Sequence, residues 1–180
     1  MAERQTDGPL ALPEFDPPPR LLVVQAPYYE DIAGMQLAGA RAALDAGRAG
    51  YDLLHVPGAL EIPVAIRLAA DRGGYEGYVA LGCVIRGETT HYETVCEESA
   101  RGITLLGVQH GLCIGNGILT CETVAQAEDR ADPARQDKGG GAATAALHLV
   151  AIARRFGRGP AGGSPPEGTE VLMAGAALSR

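Results

Sequence analysis

The stretch Tyr78-Val79-Ala80-Leu81-Gly82-Cys83-Val84-Ile85-Arg86-Gly87-Glu88-Thr89-Thr90-His91 decides the fold. From Tyr78 to Ile85 it carries no charge and shows no polar alternation, the pattern of a strand buried on both faces. Such a strand belongs inside a parallel sheet with helices packed on each side. Gly87 then permits a tight turn, and Thr89 or Thr90 can cap a helix whose face reads Tyr92, Val95, Cys96, Ser99, Ile103 and Leu106.

The same two periods alternate on either side. Leu21-Leu22-Val23-Val24 is a second continuous apolar run. Asp31 can cap the helix that follows, with Ala33, Leu37, Ala40 and Leu44 on one face and Gly47 as its stop. Tyr51 to Val56 reads as a strand, and Pro63 suits the first turn of a helix ending near Gly73 and Gly74. Leu112 to Thr120 is a fourth strand, Thr123 opens a short helix through Ala131, and a final helix is predicted from about Ala142 to Phe156. The order β-α-β-α-β-α-β-α-α predicts an α/β fold, a three-layer α/β/α sandwich with a flavodoxin-like four-stranded parallel sheet.

The chain has 180 residues, 46% of them hydrophobic and 21% charged, which suits one folded domain. It holds 25 Gly, no Trp, 6 Tyr and 2 Phe, so its core must be built from small and aliphatic residues. Residues 1–19 carry Pro9, Pro13, Pro17, Pro18 and Pro19 and read as a flexible N-terminal segment. Residues 20–157 form the expected domain, and residues 158–180 a Gly/Pro-rich tail. A net charge of −7 argues against nucleic acid or an anionic membrane as the main partner. The run from Ala142 to Ala153 is too short to span a bilayer, and Met1 to Arg20 lacks the apolar core of a signal peptide. Cys83, Cys96, Cys113 and Cys121 match no zinc or redox spacing and read as buried free thiols, as expected of a reduced, cytoplasmic protein.

Ligands of open parallel sheets bind outside the carboxyl ends of the strands. Here those ends deliver Pro27, Tyr28 and Tyr29, then Pro57 to Pro63 with Glu61 among apolar neighbours, then Arg86 to His91, and finally Thr120, Cys121 and Glu122. The turn at Gly87 and the helix start after it offer open amides and a positive dipole end, either an anion site or an ordinarily capped helix. His91 at that mouth can carry protons near neutral pH, or simply lie on the surface. Tyr28 or Tyr29 can stack on a flat ring or cover the sheet edge. Arg130 and Lys138 by themselves read as solvated charges. His55 falls inside a strand, His110 in a loop and His148 within the last helix, none with metal-ligand spacing to another. Neither a dinucleotide fingerprint nor a nucleoside triphosphate loop is present. No metal and no cofactor are expected.

Three stretches carry a resemblance to a known family: Val56-Pro57-Gly58-Ala59-Leu60-Glu61-Ile62-Pro63, Ala80 through His91, and Gly117-Ile118-Leu119-Thr120 with Glu122. Over roughly residues 20–156 the chain resembles lumazine synthase, the penultimate enzyme of riboflavin biosynthesis. The resemblance implies a transferase that condenses 5-amino-6-(D-ribitylamino)uracil with 3,4-dihydroxy-2-butanone 4-phosphate and needs neither metal nor cofactor. It implies His91 as proton carrier and Tyr28 as the ring stacked on the pyrimidine. It further implies that Ala59, Leu60 and Glu61 hold ring and ribityl chain, with Cys83, Val84 and Ile85 adding backbone bonds. Glu88 and Thr89 would bind phosphate through their amides, Arg130 would meet it from the other side, Asn116 would contact the pyrimidine, and Lys138 becomes a further substrate-site candidate.

The chain departs from the family pattern in places. Pro27 stands where Arg often precedes the stacking aromatic, Asp137 where Asn is common before the Lys, and Asn116 where some members have Phe. The resemblance also implies a homopentamer, with sites between neighbouring subunits to which Asn116, Arg130 and Lys138 can contribute. The prolines before Arg20 oppose a strand that would join a neighbour's sheet and so favour an isolated pentamer. Two other readings share the scaffold: a non-catalytic lumazine or flavin carrier, and a structural shell protein. His91 speaks against the carrier, since binding alone requires no proton carrier.

Overall fold

The computed structural model describes residues 10–157. Nine elements follow in order: β1 (Arg20–Gln25), α1 (Glu30–Ala46), β2 (Gly50–His55), α2 (Glu61–Arg72), β3 (Gly77–Ile85), α3 (His91–His110), β4 (Ile114–Cys121), α4 (Val124–Ala131) and α5 (Lys138–Arg155). The strands form one sheet in the order β2-β1-β3-β4, parallel throughout. This is the expected three-layer, flavodoxin-like arrangement.

Side chains of β1 and β3 alternate between two cores, as a strand period of two requires. Leu21, Val23, Val79 and Leu81 point to the α1/α5 layer, where Ala40, Leu44, Ala143 and Leu147 meet them. Leu22, Val24, Tyr78 and Ala80 point to the α2/α3 layer, packing on Ile62, Ile66, Ile103 and Leu106. Both faces are apolar, so neither strand alternates in sequence. A third cluster lies near the C-terminal ends of β3 and β4, where Ile32, Cys83, Leu119 and Cys121 meet Ala127 and Ala131 of α4.

Three readings need correction. Asp31 does not cap α1: Tyr29 takes that position in extended conformation without a side-chain bond, and Asp31 joins Glu30 in the first turn, favoured by the helix dipole. His110 is the last residue of α3, not a loop residue, and Gly111 ends the helix at φ 64°. The final helix starts at Lys138 rather than near Ala142. Gly139 belongs to it because a Cβ there would lie 2.1 Å from the Gln36 carbonyl oxygen. The glycine is a contact surface between α5 and α1, not a loop marker.

Of the Pro-rich segment, residues 10–19 are described, and Leu12 and Phe15 pack on the α1/α5 core. Arg154 donates to the Pro17 carbonyl at 2.7 Å, holds Glu76 at 2.7 and 2.8 Å, and lies 5.2 Å from the Phe15 ring centre. Residues 1–9 and the expected tail over 158–180 lie outside the described residues.

At the β4 edge, the Cys113 and Cys121 carbonyls accept from Tyr78 and Arg86 of the β3 segment. The odd-numbered groups of β4 therefore face inward and its even-numbered N–H groups face outward. Two outward donors are taken by side chains: Ile118 N–H by Asn116 Oδ1 at 3.0 Å, and Glu122 N–H, just past the strand, by Gln126 Oε1 at 2.9 Å.

Candidate functional site

Beyond the C-terminal ends of β1 and β3 lies a cleft of about 460 Å³. Ala26 extends the β1–β3 pairing through its N–H to Leu81, after which the chain turns outward at Tyr28 and Tyr29. Buried Gln25 donates to the Ala33 carbonyl at 2.8 Å and so fixes the first turn of α1 beneath the two rings. Tyr29 is half-buried, whereas Tyr28 is 73% exposed and meets it edge-on at 5.0 Å. After β2, Gly58 and Ala59 turn the chain into α2. A Cβ on Gly58 would lie 2.9 Å from Glu61 Oε2, so the glycine leaves room for that carboxylate at the cleft wall.

The third wall comes from the end of β3 and the start of α3: Cys83, Val84, Ile85, Gly87, Thr89 and His91, then Tyr92 and Val95. His91 is exposed and is the first residue of α3, placing its imidazole beside the open amides of a helix start. Burial, reinforced by Cys121, pushes the Cys83 thiol up to about 12, so this sulfur is a neutral wall group rather than a nucleophile. Burial likewise pushes Tyr92 up to about 12. Among the lining side chains, imidazole is the type whose ordinary titration range suits proton exchange near neutral pH.

A second, smaller concavity of about 270 Å³ follows the outer edge of β4 between that strand, α4 and α5. Asn116, Thr120, Arg130, Lys138 and Gly141 line it. The neighbouring acids are engaged elsewhere. Asp129 pairs with Arg135 at 2.8 Å, and Asp137, at φ 42°, caps α5 by accepting from Gly140 N–H at 3.0 Å. Among the described residues neither Arg130 nor Lys138 has a carboxylate within salt-bridge distance, which leaves two cations available to an anion.

Tyr28, Ala59, Leu60, Glu61, Cys83, Val84, Ile85, Thr89 and His91 thus converge on one cleft. Glu88 is exposed in the loop between Gly87 and Thr89 without lining the cleft. Asn116, Arg130 and Lys138 converge on the other concavity. Ala26, Tyr92 and Val95 are additions. Tyr92 and Val95 read from sequence as part of a buried helix face, and the position of Tyr92 directly after His91 was the available signal. Among the described residues no group of three or more His, Cys, Asp or Glu side chains is placed to hold a metal. No described helix is long and apolar enough to cross a membrane.

Fold and clefts define an α/β protein with a cleft at the carboxyl rim of a parallel sheet, where such folds take their ligands. The model of the family described as 6,7-dimethyl-8-ribityllumazine synthase matches residues 18–154. A 6,7-dimethyl-8-ribityllumazine synthase from Jannaschia sp. (strain CCS1) is 51% identical over 172 residues, covering 94% of this chain and 96% of the relative. Proteins of the same description from Methylocella silvestris and Erythrobacter litoralis are 59% and 55% identical, covering 76% and 77% of this chain and 86% and 98% of their own lengths. The chain belongs to the 6,7-dimethyl-8-ribityllumazine synthase family of enzymes.

Proposed function

We propose that this chain condenses 5-amino-6-(D-ribitylamino)uracil with 3,4-dihydroxy-2-butanone 4-phosphate to 6,7-dimethyl-8-ribityllumazine, releasing phosphate and water, a step of riboflavin biosynthesis. The observation that carries the reading is the cleft in which His91, Glu61, Tyr28 and the Gly87–Thr89 turn come together. Tyr28 has an exposed ring face for a flat pyrimidine. Ala59, Leu60 and Glu61 at the start of α2 hold ring and ribityl chain, and the Cys83–Ile85 backbone adds bonds along the β3 end. The amides around Glu88 and Thr89, at a helix start, receive the phosphate.

The chemistry needs little beyond placement and proton movement. The 5-amino group attacks the ketone carbon, and the carbinolamine loses water to an imine. The carbon that bears the free hydroxyl then loses its proton, the C–O bond to phosphate breaks, and the enol so formed tautomerises to a new methyl ketone. The ribitylamino nitrogen closes the second ring on that new carbonyl, losing water again. Each step moves a proton to or from nitrogen, oxygen or carbon, the task of His91. Holding both substrates in register supplies much of the acceleration, and fixed donors stabilise the departing phosphate.

Asn116, Arg130 and Lys138 line a different concavity from His91. The reading that unites them is a homo-oligomer in which the β4 edge of one copy completes the cleft of the next. Apolar side chains stand exposed on α2 and α3 (Val64, Leu68, Val108) and on α5 (Leu149, Ile152), so two unlike surfaces are available for a head-to-tail ring. A pentamer is the proposed ring, the chain acting on small molecules in the cytoplasm with residues 20–157 as its working domain. Mixing purified protein with both substrates and following lumazine absorbance tests the activity. No product at substrate concentrations far above ordinary KM values refutes it.

A further inference from the structure

Arg86 leaves β3 with its backbone N–H bonded to the Cys121 carbonyl at 2.9 Å. Its guanidinium then joins three groups. Nε donates to Glu122 Oε2 at 2.5 Å, Nη1 donates to Glu93 Oε1, and Cζ stands 4.2 Å from the centre of the Tyr92 ring. Glu122 follows the last residue of β4, while Tyr92 and Glu93 follow His91 in the first turn of α3. One side chain therefore binds the end of one strand to the opening turn of the helix that carries His91.

That turn is weakly held from within. Thr90 occupies the N-cap position without a side-chain bond. Thr89 Oγ1 accepts from His91 N–H only at 3.4 Å, and the Thr94 N–H reaches the Thr90 carbonyl at 3.5 Å. The loop from Gly87 to Thr90 is exposed, and a Cβ on Gly87 would meet nothing within 4 Å. A glutamate at the third helical position commonly folds back to cap its own helix. Glu93 occupies that position and reaches Arg86 instead. The guanidinium is in turn engaged by two carboxylates, through Nε and Nη1, and by a ring.

We propose that Arg86 is a positioning residue: by tying Glu122 to Glu93 and Tyr92 it sets where the His91 imidazole and the amides of the 87–89 turn stand. It touches no substrate. The inference rests on the reaction assigned above and names a residue through which that site is held. Arg86 performs this role by its planar fork and its stacking face, so lysine does not replace it.

Arg86→Gln and Arg86→Lys test the proposal. Both are expected to lower kcat by the order of ten- to a hundredfold, the cost of a misplaced reacting group. KM for the ketone phosphate rises, while KM for the pyrimidine diamine, held by Tyr28 and the α2 start, stays within about twofold. The unfolding midpoint changes little, because exposed ion pairs contribute little to global stability. Glu122→Gln, which keeps an acceptor, retains more activity than Glu122→Ala. Backbone hydrogen exchange in Arg86→Gln quickens at residues 88–92 and not elsewhere, a readout that stands even if the unsubstituted protein makes no lumazine. Turnover and both KM values within about twofold of the unsubstituted protein overturn the proposal, as does unaltered exchange at 88–92. A uniform rise of both KM values with a lowered unfolding midpoint overturns it too, since that marks a merely structural role. Should Arg86→Gln fail to fold, Glu93→Gln cuts one branch alone and carries the same expectations and the same refutations.

Discussion

The Asp137 carboxylate lies over Gly39 of the neighbouring helix: a Cβ on Gly39 would stand 1.9 Å from Asp137 Oδ1, the oxygen that caps Gly140 N–H. The start of α5, with Lys138 at its first position, is thus seated on a gap in α1. Gly39→Ala must push that cap aside and is expected to cost about 1–3 kcal/mol. Gly34, exposed in the same helix with nothing within 4 Å of its absent side chain, reverses the sign. Gly34→Ala is expected to stabilise by about 0.5–1 kcal/mol, the helical penalty of glycine against alanine. Urea unfolding midpoints of the two variants, made side by side, check the contrast.

His91→Ala removes the proposed proton carrier from an exposed position at the mouth of the cleft. Turnover is expected to fall by about 10²- to 10⁴-fold. Circular dichroism and oligomer mass should match the unsubstituted protein. A carrier or a shell protein would lose nothing by this change.

The separation of His91 from Arg130 into different concavities allows a mixing experiment. His91→Ala and Arg130→Ala are each expected to be nearly inactive alone. Unfolded together and refolded, they should recover activity if the proposed ring forms, because some of its sites then receive the intact His91 from one copy and the intact Arg130 from the next. A site built within one chain gives no recovery, so the ratio of mixed to separate turnover decides.

His148 is buried in α5, and burial holds its imidazole below the ordinary value, opposed in part by the Leu10 backbone. Neither ring nitrogen completes a hydrogen bond among the described residues. The folded protein thus binds this proton less readily than the unfolded chain. Above about pH 6.5 the group contributes no pH dependence; as pH falls below that value stability drops, and it levels off once the folded form titrates. One such proton gives a slope of at most about 1.4 kcal/mol per pH unit. His148→Leu should flatten the unfolding midpoint between pH 7 and 5 relative to the unsubstituted protein.

The sheet was legible because β1 and β3 bury both faces, which leaves Leu21 to Val24 and Tyr78 to Ile85 uniformly apolar. The cleft was legible because its residues follow directly on strand ends, where a parallel sheet gathers its ligands. The start of α5 was hidden, since Gly139 and Gly140 look like a loop until Gln36 and Asp137 are seen against them. The division of the site residues was reached only through the family resemblance, which implied that Asn116, Arg130 and Lys138 contribute to a neighbour's site. Asn116 and Arg130 stand on β4 and α4, and no periodicity along the chain tells on which side of an edge strand a hollow forms. Arg86 stands within the motif that ends at His91, but its partner Glu122 lies 36 residues further on, where no local pattern links the two.

The capped donors at Ile118 and Glu122 bear on what the open border of this sheet can become. A bare run of outward N–H groups is a template on which any extended peptide, including a stray copy of the same chain, can crystallise into a growing ribbon. Here the side chains of Asn116 on the strand and Gln126 on α4 satisfy two of those groups. Each donor so occupied is withheld from a ribbon that would extend along this flank, and the rest of the border stays open to the neighbouring copy proposed above.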